Sequence, residues 1–181
     1  MNFSKNVVNT ALIIVDMQKD NVGIFCQTII PNIQSLIRKA REKGIPIIYA
    51  CDSRYANDSL FEKLGIRPHT IKGTEGAKVI EELHPDLGDI IIEKRMMSAF
   101  FGTDLDFTLR EKGVKKLIIA GIRTEFCLLK TALDAFELGY DVIVPQDSCA
   151  SPSEEGHEAT LKSLDVIKIR KSKTQELIEE L

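Results

Sequence analysis

The feature that most constrains this chain is its rhythm. Short apolar runs of strand length alternate with segments of helical period. ALIIVD (11–16) is a brief apolar run ending in a charge, as a buried strand does. In the following NIQSLIRKAREKG, Ile33, Leu36, Ile37 and Ala40 fall at i, i+3, i+4 and i+7, one apolar face of a helix. Pro31 suits the first turn of that helix and Gly44 its stop. IPIIYACD (45–52), DIIIEKR (89–95), KKLIIAG (115–121), DVIVPQD (141–147) and DVIKIRKS (165–172) read as five further strands. Helices are expected over GAKVIEEL, TDLDFTLREKG, the stretch from Cys127 to Gly139, SPSEEGHEATLKSL and TQELIEEL. Within SPSEEG, Ser151 reads as the cap of a capping box, with Pro152 at the first helical position and Glu154 reaching back. Residues 53–75 show no clean period and read as a long ordered loop, the kind of insertion that often carries function. Six strands separated by helices predict an α/β fold: a mostly parallel six-stranded sheet with helices on both faces, as one domain over 1–181.

Composition excludes several classes. A chain of 181 residues buries about 70% of its unfolded surface, so it needs no metal or disulfide staple to fold. The net charge of −3 offers no basic patch, so neither nucleic acid nor an anionic membrane is an expected partner. Cys26, Cys51, Cys127 and Cys149 form no Cys-x-x-Cys pair and no zinc spacing. Reduced thiols in a cytoplasmic protein are the simplest reading. The amino terminus lacks a basic region followed by a cleavable apolar stretch, and no apolar run is long enough to span a membrane.

Open parallel sheets bind ligands at the carboxyl ends of their strands. The expected strands deliver Asp16, Asp52, Lys94 and Asp147 to that edge, and the fourth leads into the turn before Cys127. A lysine and a helix amino terminus beside a thiol both favour the thiolate. A neighbouring carboxylate takes the thiol proton and returns it to a leaving amine. The turn IRTEF offers backbone N–H groups to an oxyanion. The same charges also suit strand ends that simply meet water, and this alternative stays open at the level of pattern.

The residues also carry a resemblance. ALIIVDMQKD, RPHTIKGTEGA, EKRMMSAFFGTDLDFTLREKG and GIRTEFCLLKTALDAFELGYDVIVPQDSCAS, with His157 beyond, follow one another nearly end to end. In that order they resemble the motifs of the isochorismatase-like cysteine hydrolases, a family that includes nicotinamidases, N-carbamoylsarcosine amidases and biuret- or ureidoacrylate-type amidohydrolases. The resemblance implies a three-layer α/β/α fold, a small-molecule substrate and a homo-oligomer. It implies a catalytic triad of Asp16 as proton carrier, Lys94 as charge support and Cys127 as nucleophile. It also implies a cis peptide between Ile122 and Arg123, with the N–H groups of Arg123 and Cys127 turned toward the oxyanion.

The departures bear on the substrate. Nicotinamidases in the family build a metal site on Asp-x-His, a further His, and the His of the Pro-His loop. Here the stretch reads Asp52-Ser53-Arg54, Asp58 stands for the second His, and His69 remains. Asp52 and His69 are the residual candidate ligands. Without an imidazole pair they make a poor zinc or iron site, and no cofactor is expected. Asn21 and Ile66 stand where stacking aromatics are common in the family. Arg54 and Arg123 are candidates to bind a substrate carboxylate, Phe100 and Phe101 to wall the pocket or meet a subunit, and Met96 and Met97 to line it. His157 reads as a packing or hydrogen-bonding residue. The expected activity is cysteine-dependent hydrolysis of a small amide, ureide or carbamoyl C–N bond through a thioester. The alternatives are a metal-assisted nicotinamidase, an isochorismatase cleaving a vinyl ether, and an inactive small-molecule binder, the last kept open by Arg123 and Glu125 beside the thiol.

Overall fold

The computed structural model describes residues 9–181; the reading of the amino terminus as leaderless falls partly on residues 1–8, outside the described residues. β1 (Thr10–Val15) and β2 (Ile47–Asp52) are buried at every position. That is the signature of parallel strands covered on both faces. Alternate residues of β1 enter two separate cores. Ala11, Ile13 and Val15 face one, Leu12 and Ile14 the other. The sheet continues with β3 (Ile90–Lys94), β4 (Lys116–Ile122), β5 (Asp141–Pro145), the two-residue β6 (Cys149–Ala150) and β7 (Arg170–Ser172).

The strand order is β3-β2-β1-β4-β5-β7, with β6 paired to β4, and all these pairs are parallel. α1 (Ile30–Lys43) and α6 (Thr174–Glu180) cover one face through Ile33, Leu36, Ile37, Ala40 and Leu177. α3 (Leu105–Glu111), α4 (Leu129–Glu137) and α5 (Glu154–Val166) cover the other through Leu105, Leu109, Ala132, Ala135, Leu161 and Leu164. The expected α/β layering is therefore present, with β6 added to the six expected strands. Among the described residues no helix is long and apolar enough to cross a membrane.

Local expectations fail in four places. GAKVIEEL is not a helix but two 3-10 turns, Glu75–Ala77 and Glu81–Leu83, interrupted where the Ile80 N–H bonds to the Met17 carbonyl. Residues 53–75 contain α2 (Ser59–Leu64), anchored by buried Phe61 and ended by left-handed Gly65. DVIKIRKS is a strand only at its end: α5 runs through Val166, carried by buried Leu161 and Leu164, and Lys168 (φ 60°) turns the chain into β7. The cap of α5 is Ser153, whose Oγ accepts the Gly156 N–H at 3.0 Å. Ser151 instead donates its hydroxyl to Glu125 at 2.7 Å.

The strand order reverses at β1. Its neighbours are β2 on one side and β4 on the other, which opens a crevice at their carboxyl ends. Register decides what meets there. Val15 pairs with Ala50 and with Gly121, and Asp52 pairs with Lys94. Gly121 (φ 117°) lets β4 approach closely, because a Cβ there would stand 2.2 Å from the Val15 carbonyl oxygen.

Candidate active site

Asp16 follows the last residue of β1 and takes a left-handed backbone (φ 54°), sparsely populated for a residue with a Cβ and common where surroundings over-determine a site. Lys94 ends β3 and is 0% exposed. Its ammonium donates to Asp16 Oδ2 at 2.9 Å and to Asp52 Oδ1 at 2.6 Å. The Asp52 N–H donates to Asp16 Oδ1 at 3.0 Å. Cys127 sits in a π-helical turn, Thr124–Leu128, that runs from β4 into α4. Its sulfur and oxygens of Asp16 and Asp52 all lie within 4.8 Å of one another. Asp16, Lys94 and Cys127, drawn from three strand ends, thus share one site.

The electrostatics differ from those expected. Burial, reinforced by the Asp16 charge and opposed by Lys94, pushes the Cys127 thiol well above its ordinary range. The pull of Lys94 toward the thiolate is thus outweighed by the cost of removing a small anion from water. Burial also raises the Asp16 carboxyl to about 6, against the pull of Lys94 and with the push of Asp52. Burial disfavours the charged form of Lys94, yet the surrounding Asp16, Cys127 and Asp52 raise it overall, so the ammonium persists.

Residues around the cluster fix its geometry. Gln18 accepts the Asp52 N–H at 2.8 Å and donates to the carbonyls of Asp52 at 2.8 Å and Ala77 at 2.7 Å. Asp20 accepts the Thr70 N–H at 2.8 Å, and its carboxylate lies so close to Gly76 that a Cβ there would meet an oxygen at 2.1 Å. Gln18 stands inside the motif ALIIVDMQKD with no role assigned to it by pattern. The signal for it was a polar side chain placed between two aspartates at alternate positions just past a buried strand. On the other side, Thr124 Oγ1 and His157 Nδ1 lie 2.9 Å apart, and Glu125 accepts from Ser151 while its second oxygen is buried without a partner.

The remaining candidates fall in different places. Asp147 is not in the cluster: its Oδ1 accepts the N–H and hydroxyl of Thr174, both at 2.8 Å, and so tethers α6. Arg54 does not offer an open guanidinium to a substrate carboxylate. It is 4% exposed, donates to both oxygens of Asp52 at 3.3 Å and reaches the Arg95 carbonyl at 2.5 Å. Arg123 is exposed, and its carbonyl accepts from the N–H groups of Phe126 and Leu128. The Ile122–Arg123 peptide is cis. Phe100 packs toward the core against Tyr140, ring centroids 5.9 Å apart, whereas Met96 and exposed Phe101 line a cavity of about 270 Å³ with Ser53, Tyr55, Lys72 and Arg95. The four cysteines are unpaired.

The donor set does not fit a transition metal. His69 points its Nδ1 at the Arg67 carbonyl and rests on the Phe61 ring, centroids 5.3 Å apart, while Asp58 is paired with Arg95. Asp16, Asp52 and Cys127 do converge, but Lys94 donates to both carboxylates and Arg54 to Asp52. Two cationic side chains among the donors oppose a further cation.

Comparison with known proteins agrees with this architecture. Residues 10–172 match the family profile described as Isochorismatase domain. A probable inactive nicotinamidase of Arabidopsis thaliana is 35% identical, the match covering 96% of each chain. A ureidoacrylate amidohydrolase of Acinetobacter baylyi is 32% identical, covering 86% of this chain and 76% of that one. The pyrazinamidase of Pyrococcus horikoshii, solved in complex with zinc, superposes with a TM-score of 0.85 at 32% identity, covering 91% of this chain and 99% of that one.

Proposed function

The chain belongs to the isochorismatase family of hydrolases, whose members include amidohydrolases, and we propose that it hydrolyses a small amide, ureide or carbamoyl C–N bond with Cys127 as nucleophile. One observation carries the reading: the Cys127 sulfur lies within 4.8 Å of a carboxylate that Lys94 holds at 2.9 Å. Asp16 takes the thiol proton as sulfur bonds to the substrate carbonyl carbon. The resulting oxyanion is held by the backbone N–H groups of Arg123 and Cys127. Asp16 returns the proton to the nitrogen, the C–N bond breaks, and ammonia or an amine leaves a thioester on Cys127. Asp16 then takes a proton from water, whose oxygen attacks the thioester. The acid departs and the sulfur regains its proton.

The raised carboxyl of Asp16 and the raised thiol of Cys127 suit this sequence. The proton stays on sulfur until a carbonyl is present, so the resting enzyme is guarded against oxidation and stray alkylation. An ammonia-release screen over amides and ureides tests the reading, with Cys127→Ala as control. We expect turnover that falls at least about a thousandfold in the variant. A Cys127→Ala protein working at the full rate excludes the cysteine mechanism. A second reading, a binder without turnover, is favoured by the 35% identity to a probable inactive nicotinamidase. It predicts no ammonia from any substrate, together with saturable protection of Cys127 from iodoacetamide by one of them.

A further inference from the structure

Arg54 is the unexplained group of the site. A guanidinium is costly to bury, and this one is 4% exposed. It spends its contacts inside the protein, on both oxygens of Asp52 and on the carbonyl of Arg95. Asp52 in turn shares Lys94 with Asp16. The buried cluster therefore holds two carboxylates, two cations and one thiol. With the proton on sulfur its charge is zero. With the proton moved to Asp16 and the sulfur negative, it is again zero. Without Arg54 both states carry an uncompensated negative charge, beside which a thiolate is harder to form.

We infer that Arg54 is a positioning residue that serves as the built-in second cation of this site, fixing Asp52 and neutralising the cluster so that thiol chemistry proceeds without a divalent metal. Its functional meaning rests on the hydrolase reading above. The physical basis is local: arginine stands at the second position after Asp52 and occupies both carboxylate oxygens with a planar fork.

Two measurements on the full chain test the inference, and neither needs the substrate: the zinc content after equilibration, and the rate at which iodoacetamide alkylates Cys127, followed by peptide mass. The native protein should take up far less than one zinc per chain, and its alkylation rate should be the same with and without chelator. Arg54→Ala should slow alkylation about tenfold, since one pKa unit is a tenfold change in thiolate. Millimolar guanidinium ion should restore part of that rate. Arg54→Lys, which keeps the charge without the fork, should lie between. Stoichiometric zinc in the native protein, with Cys127 reactivity changed by chelation, overturns the inference in favour of a metal. An alanine variant alkylating at the native rate overturns it, as does equal slowing in both variants with no response to guanidinium, the mark of a merely structural side chain. An amide screen without turnover leaves both readouts standing, so failure of the hydrolase reading is distinguishable from failure of this one.

Discussion

The two lips of the crevice are held by different physics. On the β1–β2–β3 lip, Asp16, Asp52, Arg54 and Lys94 form one buried ionic lattice, each member paired with another at 2.6 to 3.3 Å. Lys94 bridges the two carboxylates and Arg54 clasps Asp52, so shifting Lys94 takes the cation from Asp16 and shifting Asp52 takes the carboxylate from Arg54. On the β4 lip, the turn bearing Cys127 is fastened to α5 and the segment before it by hydrogen bonds, Thr124 with His157 and Ser151 with Glu125. Each such bond is worth about 1 kcal/mol, so this lip can adjust slightly at modest cost.

Substitutions break that contrast in a graded way. Lys94→Met should be the most severe, destabilising by about 3–5 kcal/mol in urea unfolding, because it takes the cation from buried Asp16 and leaves Asp52 with Arg54 alone. A loss under about 1 kcal/mol would mean that water reaches the lattice. Gly121→Ala attacks the seam between the lips. Its Cβ would press on the Val15 carbonyl in a positive-φ conformation, at an expected cost of about 3 kcal/mol, with a matching fall in Tm.

The third prediction concerns pH. The native Asp16 carboxyl is raised from 3.8 to about 6, so between these values the native state binds a proton more tightly than the unfolded chain. The stabilising contribution of that proton is complete below about pH 4 and is lost as pH rises through about 6. Asp16→Asn removes this dependence. The stability of the variant relative to the native protein should therefore rise by roughly 2–3 kcal/mol from pH 4 to pH 7, measured by urea unfolding at each pH. A constant difference would show that Asp16 titrates normally. Thr124→Val should be mildest, about 1 kcal/mol, because it deletes one hydrogen bond on the adjustable lip and keeps the side-chain volume. A loss as large as that of Lys94→Met would erase the distinction between the lips.

Much of the fold was legible because its signals are local. The apolar runs of β1 and β2, the stripe Ile33–Leu36–Ile37–Ala40 and the stop at Gly44 each declare themselves within a few residues. GAKVIEEL misled for the complementary reason. Its composition favours a helix, but a bond from Ile80 to Met17, far away in sequence, breaks it. Ser151 carried the cap signal, yet Glu125 claimed its hydroxyl and Ser153 took the cap. In the site, the charges at the strand ends were visible as residue types, but their partners were not. Asp147 and Asp52 look alike as acids closing apolar strands; one tethers α6 and the other sits in the ionic lattice.

The sequence alone determined that this chain builds a parallel sheet covered by helices and that acids, a lysine and a thiol stand near its strand ends, since periodicity and residue type need no distant partner to be read. Only the tertiary structure decided that Lys94 lies between Asp16 and Asp52, 78 and 42 residues away, that Arg54 turns inward, and that burial pushes the Cys127 thiol well above its ordinary range. The physical reason is that burial and Coulomb attraction depend on distance through space, and strand register, not neighbourhood along the chain, sets those distances.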